Sequence, residues 1–261
     1  QTTLGSSIVQ FSYDGQAYDV APTVGNLTAK RIWNDLDATW LTASSTFDSY
    51  GNVLTTTDGR GKVTQYFFDD TTHALPNRIV VDPQNNTDPQ TTTTVYDYST
   101  GLVLSVTDPN NATATIDYTN QLLSAVDPLG RPGATIGPLV NAGGVNQHHR
   151  VTTTYEDHLL RVIVAADVNT ENDQLLKTRT TGDMLGRTVL VEQTEDGANY
   201  TLYSQQAYAQ AGRISFSSGV MRTGGSSTTD SWTRVTKDDI GRVTEVVTFG
   251  GAAQPPDTGT T

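Results

Sequence analysis

At 261 residues and 28.0 kDa the chain holds one or two ordinary domains, or one uninterrupted array. Its 35% hydrophobic content suits sheets with one wet face better than a thick globular core. A net charge of −12 argues against a nucleic-acid partner, whose phosphates require clustered Lys and Arg, and the lack of cysteine excludes disulfides and thiolate metal sites. No apolar run approaches the roughly 20 residues of a membrane-spanning helix, so no membrane insertion is expected. The chain opens at Gln1 without a signal-like segment, as a processed product or an excised piece would.

Threonine runs such as Thr91 to Thr94 and Thr152 to Thr154 favour strands, since β-branched side chains suit a pleated surface. Helical periodicity is nearly absent, with Gln205 to Gln210 the one stretch to test. Residues 1–45 carry Trp33 and Trp40 but match the later pattern poorly, and read as a cap or a degenerate repeat. From residue 46 a phrase recurs: an aromatic-acid pair, a glycine turn, a short alternating strand, then an Asp-centred turn. It runs Phe47-Asp48-Ser49-Tyr50-Gly51 to Asp58, Tyr96-Asp97-Tyr98-Ser99-Thr100-Gly101 to Asp108, and Tyr118-Thr119-Asn120 to Asp127. Gly51, Gly101 and Asn120 each precede their Asp by seven residues.

Between turns the sequence alternates. Leu102, Leu104 and Val106 share one predicted face, and Val103, Ser105 and Thr107 the other. Asp108-Pro109 and Asp127-Pro128 close hairpins at the far end. Residues 46–131 thus form a first repeat block, and the Gly/Pro/Asn-rich residues 132–150 an inserted loop or linker. Residues 151–249 form a second block and 250–261 a flexible tail. Gly51, Asn77, Gly101, Asn120, His158, Gly186, Gly212 and Gly241 mark the predicted turns, where Gly and Asn supply positive φ. The expected fold is all-β: antiparallel hairpins in a curved or spiralling sheet.

These phrases resemble the RHS/YD-repeat family. The resemblance is carried by Phe47 to Phe68, Tyr96 to Tyr118 and Tyr118 to Arg131. Further copies are Asp183-Met184-Leu185-Gly186-Arg187, Asp238-Asp239-Ile240-Gly241-Arg242 and, more loosely, Tyr208 to Ile214. It covers most of residues 45 to 250 and decays at Tyr155-Glu156-Asp157-His158. It implies a non-enzymatic, extracellular or cell-surface shell of hairpins that encloses or displays a toxin or other cargo domain. The implied partners are further repeats of the same polypeptide, or copies of it. Two alternatives stand beside that reading: a self-assembling fibre or layer subunit, and an adhesin that stacks glycans on its tyrosines.

Asp167, Asn169, Glu171 and Asp173 place oxygen at alternate positions, as the first half of a calcium loop does, and are the stronger candidate cation site, with Asp82 to Asp88 similar and weaker; no other cofactor is indicated. A solvated hairpin turn is the favoured reading of both. His148-His149 point to opposite faces of an extended chain, which suits surface exposure better than joint ligation. No Gly-x-Ser-x-Gly elbow, His-Glu-x-x-His pair or phosphate-cradling loop occurs, so no catalytic residue is assigned. The tyrosines Tyr96, Tyr98, Tyr118, Tyr155, Tyr200, Tyr203 and Tyr208 read first as cross-strand packing and second as a sugar platform.

Overall fold

The computed structural model describes residues 8–82, 89–194, 196–224 and 230–256. It is almost entirely antiparallel β-structure and divides into two compact units, Gln1–Thr115 and Ile116–Thr261.

The first unit is a meander in which each strand pairs with the next in sequence. Its strands are β1 (Val9–Tyr13), β2 (Leu27–Asn34), β3 (Thr39–Phe47), β4 (Val53–Thr57), β5 (Val63–Phe68), β6 (Pro76–Asp82), β7 (Gln90–Asp97), β8 (Leu102–Thr107) and β9 (Thr113–Asp117). Val9 faces Ile32 and Ile32 faces Leu41, so an aliphatic row crosses one face. Gln10 faces Arg31 and Arg31 faces Thr42 on the other. No apolar side chain described in this unit is fully buried; the sealed residues are Ser12 and Asp69. Its cohesion lies in ladder hydrogen bonds and side-chain pairs: Trp33 and Trp40 sit opposite each other, edge to face at 5.3 Å, and the hydroxyls of Thr46 and Thr55 meet at 2.7 Å.

The second unit opens with small pieces: β10 (Thr119–Asn120) pairs with β11 (Ala125–Val126), β12 (Ala134–Ile136) with β15, and β13 (Val140–Ala142) with β14 (Val145–Gln147). A second meander follows: β15 (Arg150–Glu156), β16 (Arg161–Ala166), β17 (Leu176–Gly182), β18 (Thr188–Thr194) and β19 (Tyr200–Ala209). β19 then pairs with β20 (Ile214–Ser218) and β21 (Met221–Arg222), β20 with β22 (Ser231–Lys237), and β22 with β23 (Val243–Gly250). The sealed apolar core of the molecule lies at this end: Ile214, Phe216, Met221 and Trp232, backed by Tyr203, Ala207, Ala209 and Phe249.

Residues 1–45, expected as a cap or a degenerate repeat, hold β1, β2 and most of β3, and β3 joins β4 through the Asp48 turn. Two expectations are corrected. Residues 132–150 are built from strands: β12 extends the β15 edge, and Gly143 and Gly144, both at positive φ, form a two-residue turn between β13 and β14. The unit boundary accordingly falls at 115/116 and not at that segment. Residues 250–256 are docked, with the Gly251 N–H donating to the Asp230 carbonyl (2.7 Å), the Trp232 indole to the Ala252 carbonyl (3.2 Å), and Pro255 buried; residues 257–261 of the predicted tail lie outside the described residues. Gln205 to Gln210 is not a helix but the end of β19 and the start of a 3₁₀ turn at Gln210–Gly212.

Candidate functional site

The recurring phrase folds into one repeated piece of backbone. At Asp48, Asp58, Asp108, Asp183 and Asp238 the Asp N–H donates to the carbonyl four residues on, at 2.8 to 3.0 Å. The residue three positions on donates back to the Asp carbonyl. That is a type I turn closed by one left-handed residue, the three-residue hairpin loop. The left-handed places are Gly51, Gly61, Asn111, Gly186 and Gly241, with φ between 61° and 87°.

The Asp side chain completes the motif. One carboxylate oxygen accepts the N–H groups two and four residues on: Leu185 (2.9 Å) and Arg187 (3.0 Å) at Asp183, Ile240 (3.1 Å) and Arg242 (2.9 Å) at Asp238. Asp48 and Asp58 thus flank β4 with the same turn at either end, which is the origin of the seven-residue step from Gly51 to Asp58. The carboxyls of Asp183 and Asp238 are held below the usual range first by the Arg187 and Arg242 guanidiniums, then by these N–H donors. At Asp58 the Lys62 and Arg60 N–H groups do the same.

Other predicted turn positions deviate. The Asp97–Gly101 turn is one residue longer, with Gly101 (φ 75°) donating to the Asp97 carbonyl at 2.7 Å. Asp127 keeps the Gly130 and Leu129 hydrogen bonds, but its N–H goes to the Tyr118 carbonyl. Asn120 does not occupy a left-handed position. It is buried, its carboxamide accepts the Leu122 and Leu123 N–H groups and donates to Asp127 (2.9 Å), and Ser124 takes the positive φ. Gly212 ends a run of three left-handed residues begun by Gln210 and Ala211. Asn77 lies inside β6, and His73 is the left-handed residue of that loop; at His158 the turn is closed by Leu160 (φ 51°) in place of glycine.

Links between successive hairpins were not anticipated. Arg131, just after its turn glycine, bonds its own Asp127 and forks onto Asp157, 26 positions ahead, at 2.8 and 2.9 Å. Its guanidinium also lies 4.1 Å from the Tyr155 ring. Arg213 reaches Asp239, again 26 positions ahead, at 2.5 Å. Arg187 stays on Asp183 and stacks over Tyr208 at 4.2 Å. The phrase tyrosines reach backwards: Tyr96 donates to the Pro76 carbonyl (3.2 Å), Tyr155 to Pro132 (3.1 Å) and Tyr208 to Thr188 (3.2 Å). The signal was present as an Arg after four turn glycines and a Tyr before the next turn, but residue types alone do not show which hairpin each reaches.

Residues 167–173, the cation candidate, form a loop closed by its own carboxylates; residues 83–88 of the weaker candidate lie outside the described residues. The Asp173 carboxylate accepts the N–H groups of Val168, Asn169 and Thr170 at 2.8 to 2.9 Å, and Asp167 those of Asn172, Gln174 and Arg150. Glu171 accepts the His148 N–H (3.2 Å), and Asn169 gives its carbonyl to Gln147. Burial raises the Asp173 carboxyl, and the Thr170, Val168 and Asn169 N–H groups lower it more, to about 2. The oxygens close the loop on itself. Among the described residues no three His, Asp or Glu side chains converge as a metal would need. Of the tyrosines, Tyr200 lies under Arg179 (4.1 Å), Tyr203 backs the core, and Tyr98 is exposed in its turn.

Fold and turns together define an antiparallel hairpin-repeat protein. No protein-family model matches the chain, and no curated protein matches it. Among solved structures it is similar to a chain of the Photorhabdus luminescens Tc holotoxin pore with the TccC3 D651A mutation, at 14% identity and a TM-score of 0.47. It is similar also to TcdB2-TccC3 without its hypervariable C-terminal region, at 14% identity and 0.45, and to TcdB2-TccC3-Cdc42 at 13% and 0.21. These matches cover 93%, 94% and 88% of this chain but 14%, 14% and 16% of the solved chains.

Proposed function

We propose that the chain is a non-enzymatic structural array of RHS/YD type, a segment of a β-shell that acts outside the cell or at its surface and encloses or displays a cargo domain. The observation that carries the reading is the Arg link from one hairpin turn to the next, a fork at Arg131–Asp157 and a single bond at Arg213–Asp239. With neighbour-to-neighbour strand pairing, it ties these hairpins to the following ones, as expected of a quasi-one-dimensional wall.

A second reading has its own observation. Among the described residues β23 pairs only with β22, and a free strand edge templates pairing with another chain. Electron microscopy of negatively stained protein over a concentration series separates the two. Discrete particles of constant size are the expected result; regular fibres or layers that grow with concentration would replace the shell with an edge-joined polymer.

A further inference from the structure

A groove of about 520 Å³ crosses β5, β6 and β7 of the first unit, open to solvent along its length. Phe67, Arg78 and Thr93 stand opposite one another on the three strands and form its floor. The Arg78 guanidinium lies over the Phe67 ring, 3.7 Å from its centroid. That stack fixes the guanidinium plane, and among the described residues no carboxylate stands within ion-pair distance of Arg78. Arg131, Arg161, Arg179, Arg187, Arg213, Arg234 and Arg242, by contrast, each hold one. A planar, fixed fork matches a carboxylate.

The walls add the rest of the specification. Tyr98, 43% exposed at the tip of the Asp97–Gly101 turn, offers a ring face, and Asp70, Asn77 and Thr93 offer acceptors and donors of both kinds. Phe67, Phe68 and Val95 complete the lining, and this mixture suits a ring with one apolar face and hydroxyls at its rim. Asp70 repels an anion generally but accepts hydroxyl hydrogens, so the carboxylate must sit at Arg78.

We infer that this groove binds an acidic saccharide, with a uronic acid carboxylate on Arg78, the pyranose face on Tyr98 and hydroxyls on Asp70, Asn77 and Thr93. The site is independent of the wall function proposed above.

The test is calorimetric titration of the whole chain with a short oligogalacturonate and with its methyl ester, which keeps the pyranose and removes the charge. The acid is expected to bind at least about tenfold more tightly than the ester, the worth of a charge-assisted hydrogen bond. Arg78→Gln removes that preference and Tyr98→Ala weakens both ligands; the fold is checked by circular dichroism, since Arg78→Gln also gives up the stack on Phe67. Absence of binding, equal affinity for acid and ester, or an N-acetylated dipeptide carboxylate binding where oligogalacturonate does not would overturn the proposal.

Discussion

Asp183 and its counterparts show how little sequence a turn needs when one side chain serves three purposes: it caps two N–H groups, fixes the loop as a type I turn and anchors an Arg. The ionised carboxylate is the stronger acceptor, so these turns weaken as Asp is protonated. Because the folded carboxyls lie below their unfolded value near 4, stability is full above about pH 4 and falls as pH drops through the folded values, which are about 2 at Asp173 and at Asp196 between β18 and β19 and lower still at the buried Asp69 and Asp127. Circular dichroism against pH is expected to show a flat signal from neutrality to about pH 4 and progressive loss of strand signal below it. Arg131 is a second case. Arg131→Lys keeps the charge but loses the bidentate fork and the stack on Tyr155, and is expected to lower the unfolding midpoint by about 2–4 °C. In a double-mutant cycle with Asp157→Asn the two losses are expected to be non-additive.

Hairpins were legible where local chemistry decides them. Alternation from Leu102 to Thr107, bounded by Gly101 and Asp108, gave β8 because period two and turn residues act within a few positions. Residues 132–150 were misread for the opposite reason. Gly133 looks like a flexible linker residue, yet its N–H bonds the Asp117 carbonyl and a Cβ there would stand 1.9 Å from the Thr119 carbonyl oxygen. Backbone contact between segments 14 residues apart leaves no mark on a sequence except the glycine itself. Two substitutions separate these roles. Gly186→Val meets nothing within 4 Å, so its cost is the left-handed backbone alone, about 1–3 kcal/mol by denaturant unfolding. Gly133→Ala is expected to cost more, since backbone must move.

The chain as a whole distributes its stability unevenly. The first unit has no fully buried apolar side chain among its described residues, whereas β19 to β23 enclose Trp232 and Phe216, which are 2% and 1% exposed. Composition foretold a thin structure and the repeat phrase foretold its order. The core was hidden because Ile214, Phe216 and Trp232 lie on strands whose alternation looks like that of any other repeat. Phe216→Ala is expected to cost about 3–5 kcal/mol and to act on the second unit alone, measured by chemical denaturation followed at Trp232.

The central claim is that hairpins are held by their neighbours and not by one common core, and amide hydrogen exchange of Gly186→Val tests it most directly. Protection is expected to fall in β17 and β18, to weaken in β16 and β19, and to persist in β22, β23 and the first unit. Unchanged protection in β17 and β18, or uniform loss through the whole chain, would contradict it.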